Sequence, residues 1–274
     1  MKYKVICSDL DGTLLDSESR LSPENAAAIS ELAKRGIIFV PTTGRTMLEL
    51  PEEIRTHKDV RYFIYSNGAG IYDVQKKTDV CKRLLDKECI GKILDVLSKY
   101  KLMLFCHKDR GLFMDDDAYK KHYEFIIWRA YYELFEQVPE ELRLKNFWDF
   151  IRNCDNVEMF VCFFGKNEER IDECIKELEK IDGVQVTSSA DGNIEIINSE
   201  ANKGNAVTFL AEYLGISTDE FITAGDSPND IEMLKAAGLS LAVSGAKDVT
   251  KAAADKIICS NDEHIAKYIL ENII

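Results

Sequence analysis

Two aspartates one residue apart, Asp9 and Asp11, close the apolar run "YKVICS" and are followed at once by Gly12 and Thr13. In an extended segment residues i and i+2 project to the same side, so both carboxylates can converge on one ligand. Bare, such a pair repels and keeps one proton; a hard divalent cation such as Mg²⁺, which prefers oxygen ligands, removes that difficulty. By itself the pair is equally compatible with two solvated carboxylates at a strand end.

A second acidic strand end changes the balance. In "FITAGDSPND" an apolar run is followed by Asp226, Asn229 and Asp230, with Pro228 opening a helix. Oxygen donors on two strand ends make a metal site, and a helix beginning near Ser227 offers free N–H groups to an anion. In "PTTGR" Thr43 contributes a hydroxyl and Gly44 an unobstructed backbone N–H, both suited to phosphate oxygens. In "NKGNA" Lys203 precedes a helix, where its charge and the helix dipole act together on a phosphate.

These four junctions need a scaffold that brings strand ends together. "SPENAAAISELAKRG" reads as a helix with Ser22 as N-cap, Pro23 at its first position and Gly36 beyond its end. "IIFVP", "EFITAG", "LSLAV" and "KIIC" read as short buried strands, "YFIYSNGAGIYD" as another strand leading into a hairpin, and "KGNAVTFLAEYLGI" and "PNDIEMLKAAG" as helices. Such alternation predicts an α/β fold with a doubly wound, Rossmann-like parallel sheet, whose ligands gather at the carboxyl ends of the strands. Between residues 82 and 198 the rhythm becomes antiparallel strand pairs interleaved with helices. The expectation is a discontinuous core, 1–81 and 199–274, with an inserted α+β cap domain, 82–198. Within the cap, "DAYKKHYEFIIWRAYYELFEQV" predicts a long aromatic helix, and the strands flanking Asp191-Gly192 a hairpin.

Composition narrows the function classes. The 274 residues carry a net charge of −13, which argues against a nucleic-acid partner or an anionic membrane, both of which are gripped by basic surfaces. Eight scattered cysteines without CxxC spacing, together with no signal peptide and no apolar span, predict a soluble, cytoplasmic protein with free thiols. Arg45 suits either a substrate or an ion pair; Glu195 is expected on a strand surface; Asp115, Asp116 and Asp117 read as a helix start; and His107, His122 and His264 read as incidental.

"DLDGTLL", "TGR", "KG" and "GDSPND", in this order, resemble the four motifs of haloacid dehalogenase superfamily phosphohydrolases. "SNGA" at 66–69 and the size and place of the insertion resemble the Cof-type branch, which carries a large α+β cap. The resemblance implies Asp9 as nucleophile, forming an aspartyl phosphate, and Asp11 as general acid and then general base. It implies Mg²⁺ on the Asp9 carboxylate, the Asp11 main-chain carbonyl and Asp226, with Asp230 behind them. Thr43, Gly44, Lys203 and Asn229 would serve the phosphoryl group. The expected activity is hydrolysis of small phosphomonoesters, sugar phosphates foremost; a phosphomutase or phosphotransferase, or a phospho-accepting signalling domain, are the alternatives. Gly245 stands where relatives commonly have Asn, and "CSNDEHIAKYI" lacks their usual Gly.

Overall fold

The structure, a computed structural model, describes residues 2–121, 138–189 and 192–274, without the side chains of 166–168. The chain forms two compact units: Met1–Arg45 with Leu50–Lys82 and Ala201–Ile274, and Thr46–Glu49 with Arg83–Glu200.

The first unit is built on a five-stranded sheet. Its central strand Val5–Ser8 lies between Ile38–Pro41 and Phe221–Gly225, with Leu239–Ala242 and Lys256–Ile257 beyond the latter. Every pairing in it is parallel, Ser8 lying beside Pro41 on one side and Ala224 on the other. Val5, Ile6, Cys7, Phe221, Ile222 and Ala224 are fully buried, as near-continuous apolar strands of a parallel sheet must be. The helix Pro23–Lys34 starts as the sequence predicts: Ser22 accepts a hydrogen bond from the Asn25 N–H. The helix Lys203–Leu214 is opened by Asn202, which accepts from the Asn205 N–H, and closed by Gly215 in the left-handed region.

Two expectations are refined here. Tyr62–Tyr65 leads into a hairpin as the sequence predicts, pairing antiparallel with Gly70–Asp73, which pairs with Thr78–Lys82, but these three strands form a sheet apart from the five-stranded one. A single parallel bridge, Thr42 to Ile64, ties this second sheet to the core strand end. The helix after Pro228 is also shorter than predicted: a 3₁₀ turn, Pro228–Asp230, leads into Ile231–Ala236.

The second unit carries a six-stranded mixed sheet, in the order Val184–Thr187, Asn193–Asn198, Val157–Phe163, Met103–Lys108, Gly111–Asp115, Arg143–Leu144. One face buries Leu104, Cys106, Phe160, Cys162, Ile194 and Ile196 against the helices Lys87–Leu97, Phe147–Arg152 and Ile171–Leu178. Asp115 caps the turn Asp116–Tyr119 by accepting from the Asp117 and Ala118 N–H groups, as expected of a helix start. The rest of the predicted aromatic helix (His122 to Gln137) and the hairpin residue Asp191 lie outside the described residues. All eight cysteines are free thiols. Among the described residues no helix is long and apolar enough to cross a membrane.

Candidate active site

Three adjacent parallel strands deliver three of the four motifs to one place. The Asp9 N–H donates to Ala224 O at 2.9 Å and the Thr42 N–H to Ser8 O at 2.8 Å, so the chain leaves the sheet at neighbouring points. Beyond Asp9 the backbone turns sharply through Gly12, whose φ of +74° suits glycine; a Cβ there would meet Asp226 Oδ2 at 2.8 Å.

Carboxylate oxygens of Asp9, Asp226 and Asp230 lie within 4.8 Å of one another. Into this cluster reaches Lys203, fully buried, its Nζ donating to Asp9 Oδ1 and Asp230 Oδ1 at 2.7 Å each. Asp230 Oδ2 accepts from the Asp226 and Ser227 N–H groups at 2.9 and 3.0 Å. The expectation that these N–H groups stand open to an anion is therefore corrected: a carboxylate of the chain itself fills them. Asp226 is held by the Thr13 and Ser227 hydroxyls, which donate at 3.2 and 2.8 Å.

Three carboxylates and one ammonium leave two negative charges uncompensated where water is scarce. Burial pushes the Asp9 pKa well above the usual carboxylate range; Lys203 pulls it down, while Asp230, Asp226 and Asp11 push it up. Asp226 is pushed up to about 6 by burial and by Asp230, against the pull of Ser227, Lys203 and Thr13. Burial alone would lower the Lys203 pKa, but Asp230 and Asp9 outweigh it and raise it. An all-oxygen donor set with this charge fits a hard divalent cation.

Asp11 does not join the cluster through its carboxylate. That group is about half exposed and paired with Arg45, whose Nε meets Oδ2 at 2.7 Å and Nη2 meets Oδ1 at 2.5 Å. The picture of both acids of the pair aimed at one ligand is thus corrected, because the tight turn after Leu10 rotates the second away from the first. Thr43 is buried, its Oγ1 accepting from the Arg45 N–H at 3.0 Å, and Gly44 follows it at the same strand end. Asn229 Nδ2 donates to Asn67 Oδ1 at 3.1 Å. The sequence reading missed Thr13, Ser227 and Asn67; a hydroxyl beside each acidic motif was the available sign for the first two. Glu195, expected on a surface, is 4% exposed and accepts from the Ser189 hydroxyl in the second unit.

The profile of haloacid dehalogenase-like hydrolases matches residues 6–269. The chain is 30% identical to the Bacillus subtilis 5-amino-6-(5-phospho-D-ribitylamino)uracil phosphatase YcsE over 97% of this chain and 94% of that one. It is 29% identical to the Bacillus subtilis phosphatase YwtE, named for the same compound, over 99% and 98%. A solved haloacid dehalogenase-like hydrolase from B. subtilis superposes with a TM-score of 0.81 at 25% identity, covering 99% and 100% of the two chains. The Cof-type resemblance of the motifs agrees with these matches, and the chain is a phosphatase belonging to the haloacid dehalogenase-like hydrolase family.

Proposed function

We propose that this phosphatase hydrolyses small phosphomonoesters, phosphorylated sugars or sugar alcohols foremost, with Mg²⁺ and through an aspartyl phosphate on Asp9. The observation that carries the reading is the buried Lys203 bridging Asp9 and Asp230 at 2.7 Å each, with Asp226 alongside. The names of the two Bacillus relatives, which specify a phospho-ribityl compound, support the substrate class.

Asp230 spends its oxygens on Lys203 and two backbone N–H groups, so it orients the site rather than ligating. The Asp9 and Asp226 carboxylates and the Asp11 carbonyl would hold the ion. Mg²⁺ bound there supplies positive charge against the Asp9 carboxylate and the phosphoryl oxygens.

An Asp9 oxygen attacks phosphorus, and the bond to the ester oxygen breaks. Asp11, as general acid, gives a proton to the departing alkoxide. It then takes a proton from water, whose oxygen attacks the phosphoenzyme and releases phosphate with Asp9 restored. Lys203 keeps the nucleophile ionised and opposes charge on the phosphoryl group; the Thr43 hydroxyl and Gly44 N–H donate to its oxygens. The unit of Thr46–Glu49 and Arg83–Glu200 serves as the specificity domain.

The test is phosphate release from a panel of phosphorylated metabolites, with Mg²⁺ and no added acceptor. Wild type turns over repeatedly, and Asp9→Asn loses at least about a thousandfold in kcat while melting as a folded protein. A folded Asp9→Asn enzyme with substantial Mg²⁺-dependent turnover would remove the nucleophile assignment.

A further inference from the structure

Thr43 O and the Gly44 N–H belong to one planar trans peptide and point in opposite directions. Whatever grips Thr43 O therefore aims the Gly44 N–H. The grip comes from Asn67, whose backbone N–H donates to Thr43 O at 3.0 Å. Next to it the Ser66 N–H donates to Arg45 O, also at 3.0 Å, so the turn holds the loop on both sides of Gly44.

Reaching both carbonyls requires an uncommon backbone. Ser66, Asn67 and Gly68 have φ of 47°, 52° and 91°, three left-handed residues in succession. Asn tolerates that region better than other side chains, while Ser has less claim to it. Strain of this kind persists only where surrounding structure imposes it, and it collects at functional sites. The side chain of Asn67 is 1% exposed. Its Oδ1 accepts from Asn229 Nδ2 at 3.1 Å and lies so close to Gly44 that a Cβ there would stand 3.1 Å from it.

We propose that Asn67 is a positioning residue for phosphoryl transfer. Its backbone aims the Gly44 N–H, and its amide locks the Thr43–Gly44 loop in register with the 226–230 loop. This rests on the function proposed above. The contacts above run from Asn67 to the Thr43–Gly44 loop and to Asn229, so its influence falls on how the phosphoryl group is held.

Two variants and two readouts test it: turnover of p-nitrophenyl phosphate, and inhibition by inorganic phosphate, each with a Mg²⁺ titration. Asn67→Gly keeps the left-handed turn and removes the amide. It should raise KM and the inhibition constant for phosphate about tenfold, with half-maximal Mg²⁺ within twofold of wild type. Asn67→Asp keeps an acceptor for Asn229 at nearly the same shape, but sets a negative charge against Gly44. It should melt like wild type and lose phosphate affinity at least as strongly. A residue that only supports the fold would leave Asn67→Asp at wild-type KM and inhibition constant, and that result overturns the proposal. So does a folded Asn67→Gly with both constants within twofold. A wild type that neither turns over nor is bound by phosphate sinks the parent function and this proposal with it, whereas failure in the variants alone leaves the parent standing.

Discussion

At the residue scale the tightest exposed contact in the site is the fork between Arg45 and Asp11, with two N–H groups on two carboxylate oxygens at 2.7 and 2.5 Å. As a surface ion pair it would contribute only about 0–1 kcal/mol to stability. Its geometry matters more, because Asp11 is the acid proposed for the reaction and Arg45 directly follows Thr43 and Gly44, the pair proposed to hold the phosphoryl group. An arriving phosphate dianion offers the guanidinium a second partner with the same fork geometry, which lets Asp11 turn to the leaving oxygen. Arg45→Ala is therefore expected to lower kcat/KM by about ten- to a hundredfold, on the scale of about 1.4 kcal/mol per tenfold, with the melting temperature nearly unchanged. Arg45→Lys should recover little, since one ammonium cannot reproduce a planar fork. Steady-state kinetics and a thermal melt on each variant decide it. Wild-type kcat/KM in Arg45→Ala would return the pair to the class of inert surface contacts.

At the element scale, the strand Met103–Lys108 puts His107 on a buried face of the second sheet, at 3% exposure. Glu49 Oε2 stands 3.8 Å from its Nε2, beyond hydrogen-bond range, and attracts the proton only weakly. Burial outweighs that pull and holds the imidazole pKa below its ordinary 6.5. The unfolded chain therefore binds a proton near pH 6.5 that the folded chain refuses, and stability rises with pH wherever the unfolded state binds more protons. The contribution is complete above pH 6.5 and is lost as pH falls through the depressed value. Melting temperatures of wild type and His107→Gln between pH 7.5 and 5 should converge toward acid, the variant having the flatter slope; parallel curves would mean the imidazole binds its proton equally well in the folded and unfolded chain. The same strand shows what sequence could and could not convey. Helix ends at Ser22 and Gly36 and the acidic strand ends were legible, because turn and cap chemistry is local. The burial of His107 and Glu195 was not, since it depends on which face of a sheet is covered by residues far along the chain. Likewise nothing within "SNGA" announces three left-handed residues, and nothing within "DLDGT" announces that Asp11 turns to Arg45.

At the scale of the whole molecule, function opposes stability. A chain of net charge −13 gathers three of its carboxylates around one lysine within its first unit. The ordering is the kind that catalytic sites impose on a fold, in which charge is held ready for a ligand and left uncompensated without it. Any divalent cation will stabilise so acidic a chain somewhat by screening, so a melting shift with Mg²⁺ proves nothing alone. Asp226→Asn separates the two effects: it removes one half-buried charge and one proposed ligand while keeping an acceptor for the Thr13 hydroxyl, and it alters the net charge by a single unit. In the presence of chelator it should melt at or above wild type, since the repulsion from Asp230 and the cost of burial fall together. With Mg²⁺ in about hundredfold excess over its dissociation constant, wild type should gain about 2.7 kcal/mol, several degrees, while the variant gains only the screening increment. Differential scanning fluorimetry of both proteins, with chelator, Mg²⁺ and matched ionic strength, reads this directly. Equal Mg²⁺ shifts in the two would take the ion away from Asp226, whatever the activity of the wild type.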